Sequence, residues 1–168
     1  MLKVCIVGIS GRMGHAIFDC CQGIDGFKVV SGISKNDTQL PLGFNGELVD
    51  SVEKLSSVPD VFIDFSRPEC SLKVLSYAKE HGSHVVLGTT GFNEDEHSKI
   101  VSTSASVPIV FAANFSVGVN VMLALIKKTS AIMQDADIEI IEAHHRYKVD
   151  APSGTALAMG QAAAEARG

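Results

Sequence analysis

Short β-branched runs alternate with segments of helical length along most of the chain, and no other feature constrains the fold as strongly. The runs carry apolar residues on both faces rather than only at every second position, which is typical of strands in a sheet covered on both sides. Such strands joined by helices predict a doubly wound, Rossmann-like α/β fold with a parallel sheet. The predicted strands are residues 3–7, 27–33, 61–65, 84–87 and 108–112, and the helices between them are residues 11–22, 68–81 and 94–104.

Residues 34–58 interrupt this alternation, because they are polar, contain glycine and show little periodicity. We expect a loop with little regular structure and at most one short helix, around residues 51–55.

The pattern changes again after Asn114-Phe115-Ser116, where a long helix (117–133), a strand (137–144) and an alanine-rich helix (153–167) are predicted. We place a hinge near residues 115–118. It separates a dinucleotide-binding domain, residues 1–116, from residues 117–168, the beginning of an α+β substrate-binding and catalytic domain. One strand and two helices make a small domain, so we expect one complete domain and part of another.

Composition narrows the function classes only mildly. The net charge of −5 argues against a general nucleic-acid binder, and no apolar stretch approaches the roughly 20 residues that cross a bilayer. The four cysteines have no CxxC spacing. We interpret them as reduced structural thiols of a cytoplasmic protein rather than redox or metal-binding groups. No spacing of ligands indicates a metal site.

A glycine-rich motif follows the first predicted strand and opens the first predicted helix. Its glycines are Gly8, Gly11 and Gly14, a G-x-x-G-x-x-G spacing rather than G-x-G-x-x-G. Tight turning, close backbone approach and close helix packing still explain the three positions. Free N–H groups at the helix start, beside Arg12 and Met13, would then face a pyrophosphate. The alternative is an ordinary strand-to-helix turn rich in glycine.

The end of the second strand bears on the choice of cofactor. An acid that binds the ribose of NAD is expected there, but the position holds Ser34, followed by Lys35. A hydroxyl and an ammonium suit a 2′-phosphate better, and Arg12 adds a second cation, so we predict NADPH in preference to NADH. Alternatively, Lys35 is a solvated loop residue and Asp37 binds the ribose.

Two later strand ends carry small polar residues, as a site at the carboxyl edge of a parallel sheet requires. Glycine would let the backbone approach a flat ring, and the hydroxyl and amide side chains would bond a carboxamide, although each segment by itself also fits turn chemistry. The two segments are Gly88-Thr89-Thr90-Gly91 and Ala112-Ala113-Asn114-Phe115.

Residues 142–155 are the most informative stretch. Neighbours on a strand face opposite ways, so His144 and His145 cannot both point inward, and an extended chain would separate His144 from Lys148 by roughly 13 Å. The chain must turn, or the two residues serve different parts of one ligand. The helix that begins near Ser153 offers an anion site, and histidine and lysine supply general acid chemistry for a substrate bearing carboxylates. The alternative is a basic surface strand followed by a capped helix.

These motifs together resemble the dihydrodipicolinate reductase family over nearly the whole chain. Residues 142–156, which read Glu-Ala-His-His-Arg-Tyr-Lys-Val-Asp-Ala-Pro-Ser-Gly-Thr-Ala, resemble its most specific signature, and residues 8–14, 64–69, 88–91 and 112–120 are also similar. The resemblance implies reduction of 4-hydroxy-tetrahydrodipicolinate to tetrahydrodipicolinate by NADPH or NADH, without a metal.

The resemblance also implies roles for individual residues. His144 is implied to be the acid–base residue and Lys148 the proton donor. The residues implied to bind the substrate carboxylates are His145, Ser153, Gly154 and Thr155. Those implied to hold the cofactor diphosphate are Gly8, Gly11, Arg12 and Met13, with Ser34 and Lys35 near the adenosine ribose. Those implied to surround the nicotinamide are Gly88, Thr89, Thr90, Ala112, Ala113, Asn114 and Phe115.

Members of this family are longer than this chain of 168 residues and complete the sheet of the substrate domain. That sheet also forms a homotetramer, which we expect for the full-length family members rather than for this chain. A second hypothesis is a nucleotide-binding module, inactive because its substrate domain is incomplete. A third is an aspartate or homoserine dehydrogenase relative, which residues 144–155 argue against.

Overall fold

The computed structural model of the chain describes residues 1–35, 39–146 and 151–168. They form two compact units, Met1–Ala112 and Ala113–Gly168. The domain boundary expected from the sequence, between residues 116 and 117, stays a prediction of where the functional domains divide.

The described residues of the first unit form a parallel sheet of six strands, in the order β3-β2-β1-β4-β5-β6. The chain builds the sheet outward from β1 in one direction and then returns to build it in the other, so the switch point lies between β1 and β4. Helices connect most of the strands, which confirms the predicted doubly wound fold. The elements are β1 Leu2–Val7, α1 Arg12–Gln22, β2 Phe27–Ile33, β3 Glu47–Val49, β4 Val61–Asp64, α2 Pro68–His81, β5 His84–Leu87, α3 Glu94–Ser104 and β6 Ile109–Phe111.

Alternate side chains of β1 supply the two faces of the sheet. Cys5 and Val7 pack in one core with Phe62, whereas Val4 and Ile6 pack in the other. All five are essentially inaccessible to solvent. Burial on both faces explains why β1 has apolar residues at consecutive positions, Val4 to Val7, rather than at alternate ones.

Local signals fix the ends of the helices. Pro68 occupies the first turn of α2, where its missing N–H costs nothing, and Gly82 ends the helix in a left-handed conformation with φ of 75°. Asn93 and Glu96 form a reciprocal capping box at the start of α3.

One strand of the sheet, β3, was not predicted from the sequence. β3 lies inside the segment expected to be a loop, and a short 3₁₀ helix, Val52–Lys54, follows it where a short helix was expected. β3 is only three residues long and pairs with β2 alone. Its residues are half-buried, so it has neither an apolar run nor a clear alternation.

The described residues of the second unit form two helices, α4 Val117–Ile132 and α5 Gly154–Glu165. They are linked by an ion pair from Lys127 to Glu165, 2.7 Å long. The strand predicted over residues 137–144 is wrong, because these residues form no β-ladder. A strand needs a neighbour for its N–H and C=O groups, and the described residues of this unit provide none.

No helix in the described part of the chain has both the length and the apolar character needed to span a membrane.

Candidate functional site

The glycine-rich turn after β1 is held by backbone hydrogen bonds. Gly8 donates to Ile33 O at 2.8 Å, and Gly11 donates to Gly8 O at 2.9 Å. Gly8 has φ of +81°, which side chains rarely tolerate. A Cβ on Gly14 would lie 2.5 Å from Ile9 O and 2.6 Å from Ile9 Cα, so only glycine lets α1 pack this closely on the turn.

The start of α1 is suited to an anion. Gly11 is its N-cap, no side chain caps it, and its first turn contains no acidic residue. Arg12 and Met13 follow immediately and are exposed. The helix therefore presents uncapped N–H groups and the positive end of its dipole beside a cationic side chain.

A cavity of about 550 Å³ opens next to this turn, where β1, β2 and β4 end. This is the switch point of the sheet, at which doubly wound proteins bind ligands. Ser34 and Lys35 line the cavity beside Gly8. The hydroxyls of Ser10 and Ser34 are 2.5 Å apart and join the glycine turn to the end of β2.

Among the residues that the structure describes, cations outnumber acids around the cavity. The described charged lining residues are Lys35, Lys54, Arg67 and Lys73 against Asp50 and Glu69. The Lys54–Asp50 ion pair, 2.9 Å long, has side chains 65% and 56% exposed, so it is weak. Burial raises the pKa of the Cys70 thiol, and a hydrogen bond with Ser66 and the positive charges of Lys35 and Lys73 oppose that rise. In a chain of net charge −5, this cavity favours an anionic ligand.

A buried carboxyl group lies between the ends of β4 and β5. Asp64 is inaccessible to solvent, and its Oδ1 accepts hydrogen bonds from Ser66 N (3.0 Å), Ser66 Oγ (2.6 Å) and Thr89 Oγ1 (3.2 Å). Oδ2 has no partner among the described residues. Desolvation raises the pKa of Asp64, and the hydrogen bonds only partly oppose it.

Thr89 is part of this buried network. Its Oγ1 accepts from Ser66 N at 3.0 Å and from Ser71 Oγ at 2.9 Å while it donates to Asp64. One donor and two acceptor sites are therefore in use, and a contact with a cofactor would have to come from the Thr89 backbone.

Two other residues expected near a nicotinamide, Gly88 and Asn114, make close contacts within the chain. A Cβ on Gly88 would lie 2.5 Å from Cδ1 of the Phe65 ring. Glycine is therefore required here by the side chain of Phe65, whatever the approach of a cofactor ring. Asn114 Oδ1 accepts from Ser116 N at 2.7 Å and shapes the entry to α4. The remaining members lie at the ends of β5 and β6 and at the entry to α4, namely Thr90, Ala112, Ala113 and Phe115.

In the second unit, one carboxylate connects two candidate residues. Glu142 Oε2 lies 2.8 Å from His144 Nε2. Ser153 N donates to Glu142 Oε1 at 2.8 Å, and Ser153 Oγ donates to Oε2. These hydrogen bonds, from Ser153 first and then His144, lower the pKa of Glu142 to about 2.

Ser153 is also the N-cap of α5, since its Oγ accepts from Ala156 N at 3.1 Å. Both polar groups of Ser153 are thus engaged by the chain. The N–H groups of Gly154 and Thr155, next in the helix, donate to no acceptor among the described residues, and space is open around Gly154. They are the N–H groups that remain for an external anion.

His145 and Arg146 are exposed beside this turn. Lys148 and Asp37 lie outside the described residues, so their predicted roles stay predictions. No group of three or more possible metal ligands occurs in the ranges 1–35, 39–146 and 151–168.

Two family models match the chain in succession. Residues 2–115 match the N-terminal part of dihydrodipicolinate reductase, and residues 118–168 match its C-terminal part. The chain belongs to the dihydrodipicolinate reductase family. It is therefore related throughout to NAD(P)H-dependent reductases of lysine biosynthesis, and its first unit corresponds to their nucleotide-binding module.

Solved structures agree with this membership. Dipicolinate-bound dihydrodipicolinate reductase from Paenisporosarcina sp. TG-14 is 27% identical and superimposes with a TM-score of 0.81, covering 99% of this chain and 67% of that protein. Myo-inositol 2-dehydrogenase from Lactobacillus plantarum is 16% identical, with a TM-score of 0.56 over 77% of this chain and 42% of its own. Myo-inositol dehydrogenase from Corynebacterium glutamicum is 14% identical, with a TM-score of 0.53 over 78% and 42%. The two dehydrogenases share the fold alone.

The first unit fits the dinucleotide that dihydrodipicolinate reductases use. Its glycine turn leaves backbone amides uncovered, its first helix has no side-chain cap, and its cavity carries an excess of cations. Lys54 and Lys73 had not been identified from the sequence as candidate site residues. They come from a 3₁₀ helix and the middle of α2, and only the folded sheet brings them to the cavity.

Glu142 lies inside the family motif, but the motif alone gives it no role. One sequence signal was present: residues i and i+2 of an extended segment face the same side, which places Glu142 beside His144.

Proposed function

We propose that the chain reduces 4-hydroxy-tetrahydrodipicolinate to tetrahydrodipicolinate, with NADPH preferred over NADH. One observation carries this proposal beyond family membership. His144, the acid–base candidate, is hydrogen-bonded to the carboxylate that also binds Ser153, the N-cap of α5, and N–H groups in the first turn of this helix remain for an anion. The Glu142 carboxylate would thus link a proton-transfer group to a carboxylate-binding site at the start of α5.

The substrate class follows from charge and geometry. The related reductase from Paenisporosarcina was solved with dipicolinate, a dicarboxylate. In this chain, the Gly154 and Thr155 amides and the exposed His145 would bind one carboxylate at the positive end of α5. Ser153 would act by capping this helix rather than by direct contact, because both its polar groups are already bonded to the chain.

The cofactor would be held mainly by the first unit. Gly8, Gly11, Arg12 and Met13 would bind the diphosphate at the start of α1, and Ser34 and Lys35 would face the adenosine 2′-phosphate across the cavity. The nicotinamide side would be formed by Gly88, Thr89, Thr90, Ala112, Ala113, Asn114 and Phe115. When bound, the reduced nicotinamide supplies a hydride.

The protein's own chemistry is proton transfer. Conversion of the 4-hydroxy substrate adds one hydride and one proton and releases the 4-hydroxyl group as water. Loss of water leaves a conjugated system, and its reduction by hydride leaves electron density that the proton must neutralise. His144 would act as the acid–base group and Lys148 as the proton donor, each contributing through general acid catalysis. The homotetramer of the family stays a prediction for this chain.

Two measurements test the function. Titration with NADPH, followed by an oxidation assay with freshly generated substrate, should show both binding and turnover. His144→Ala and Lys148→Ala should each lower kcat by about 10²–10⁴-fold. The control is His84→Ala, an exposed histidine at the amino end of β5, the edge opposite the cavity. NADPH binding without turnover would support a nucleotide-binding module instead, and a loss below tenfold in both variants would show that the roles are wrong.

The cofactor preference has its own test. Lys35→Glu should lower the ratio of kcat/KM for NADPH to that for NADH, because a carboxylate repels the 2′-phosphate and accepts from a diol. Lys28→Glu, near the start of β2, the strand that Lys35 follows, is the matched control. An unchanged ratio in Lys35→Glu would refute the preference.

A further inference from the structure

A single carboxylate organises the described residues of the family motif. Glu142 Oε2 is 2.8 Å from His144 Nε2, and Glu142 Oε1 accepts from Ser153 N at 2.8 Å. Ser153 Oγ donates to the same Oε2. Glu142 therefore ties the candidate acid–base residue to the first turn of α5.

The protonation state of Glu142 determines which ring nitrogen of His144 must carry a proton. Hydrogen bonds from Ser153 and His144 lower the pKa of Glu142 to about 2, so the group is ionised at neutral pH. An ionised carboxylate can only accept hydrogen bonds. The His144 nitrogen facing it, Nε2, must therefore carry a proton in both the neutral and the charged imidazole.

We propose that Glu142 is a positioning residue whose carboxylate holds neutral His144 in the tautomer protonated at Nε2, so that Nδ1 is the nitrogen that exchanges a proton with the substrate. The first part rests on the hydrogen-bond geometry and on the ionised state of Glu142. The second part rests on the proposed function.

A purely structural role would not need the histidine. The α5 cap is already completed by the Ser153 Oγ to Ala156 N bond, and the side chains of His144 and Glu142 remain 39% and 26% exposed. Removing Glu142 should therefore release His144 while leaving the helix cap in place.

The proton count balances without any further reactant. In the charged form, His144 carries protons on both nitrogens and, in its acid–base role, gives up only the proton on Nδ1, while Lys148 remains the donor of the proton that neutralises the reduced substrate. The Nε2–H bond to Glu142 is kept throughout, and the neutral tautomer that results is the one favoured by the carboxylate. Solvent then returns a proton to Nδ1.

The full 17.8 kDa chain is small enough for ¹⁵N NMR of its imidazole side chains. In the wild type, neutral His144 should show Nε2 protonated and Nδ1 bare. Glu142→Gln should give a mixture of tautomers, since an amide both donates and accepts, while Glu142→Asp should keep more of the wild-type tautomer. Glu139→Gln removes the neighbouring exposed carboxylate three residues earlier and should change nothing.

Turnover supplies the second readout. Glu142→Gln should lower kcat by about 10–100-fold, as loss of a histidine-orienting partner commonly does, with KM for NADPH unchanged and partial recovery in Glu142→Asp. Wild-type His144 protonated at Nδ1, or a Glu142→Gln chain with the wild-type tautomer, would overturn the inference. If the wild type binds NADPH but does not turn over, the proposed function fails and the tautomer measurement still decides this point. Circular dichroism of each variant identifies any that fails to fold.

Discussion

The chain contains two carboxyl groups with nearly the same donors and opposite behaviour. Asp64 accepts from a serine N–H, the same serine's Oγ and a threonine hydroxyl. Glu142 accepts from a serine N–H, the same serine's Oγ and a histidine nitrogen. The pKa of Asp64 is nevertheless raised, whereas that of Glu142 is lowered to about 2.

Solvent access explains the difference. Asp64 has no exposed surface, so desolvation outweighs three hydrogen bonds. The Glu142 side chain keeps 26% of its surface in water, so the same kind of hydrogen bonds determine its pKa. In the first region, the carboxyl group of Asp64 therefore links the residues that follow β4 and β5. The charged residues described around the cavity of this region are mostly cations. The second uses an ionised carboxylate to orient a reactive side chain.

The largest difference should appear when each carboxyl group is removed. Asp64→Ala should destabilise the fold by about 2–4 kcal/mol, because Ser66 and Thr89 lose a buried acceptor and a small cavity forms. Glu142→Ala should cost clearly less, since water replaces the lost acceptor. Urea unfolding of both variants measures the effect, and Asp64→Asn is the control that keeps an acceptor oxygen. Equal losses in the free energy of unfolding would mean that the difference in burial does not determine how much each carboxyl group contributes to stability.

A second contrast concerns the glycines of the two regions. Gly88→Ala should cost about 1–3 kcal/mol, because the new methyl group would press on the Phe65 ring. Gly154→Ala meets open space and should stay within about 0.5 kcal/mol, while weakening binding of a dicarboxylate to the start of α5. Thermal unfolding and dipicolinate titration separate these effects. A stable Gly88→Ala variant would mean that Phe65 can move aside.

The sequence was sufficient for the central fold because burial on both faces leaves an unmistakable pattern. β1, β2, β4 and β5 are long enough to show apolar residues on both faces, and Pro68 and Gly82 mark the ends of α2. β3 was missed because three half-buried residues at a sheet edge carry no periodic signal. The strand expected near residue 140 was wrong, because strand propensity cannot reveal whether a pairing partner exists.

The candidate site was predictable only in part, for a related reason. Turn glycines and the histidine motif are local in sequence, so spacing and resemblance identify them. Lys73 reaches the cavity only through the way α2 packs, and the Asp64–Thr89 contact joins residues 25 positions apart. Such long-range juxtapositions depend on the fold and leave no local pattern.

The two carboxyl groups should also respond to pH with opposite sign. The folded chain holds the Asp64 proton more tightly than the unfolded chain does, so the stability from protonated Asp64 is full below its ordinary value of 3.8 and is lost as pH rises through the raised pKa. The stability from ionised Glu142 is present above 4.5 and is lost as pH falls toward about 2.

Unfolding measured from about pH 3 to pH 7 tests these signs. The stability of wild type relative to Asp64→Asn should decrease as pH rises. Relative to Glu142→Gln, it should decrease as pH falls below 4.5. Parallel curves for both pairs would contradict the assigned protonation states.

The smallest effect we expect lies at the cationic rim of the cavity, which distinguishes the first region from the second. Lys73 lines the cavity from α2 and is exposed, so its attraction for a 2′-phosphate is screened by water. Lys73→Ala should therefore raise the Kd for NADPH only about threefold, or ~0.7 kcal/mol, and leave the Kd for NADH unchanged. Lys79→Ala, in the last turn of the same helix, should alter neither. Calorimetric titration with both nucleotides measures this. An equal loss for NADH would assign Lys73 to the diphosphate rather than to the 2′-phosphate, because the diphosphate is common to both cofactors.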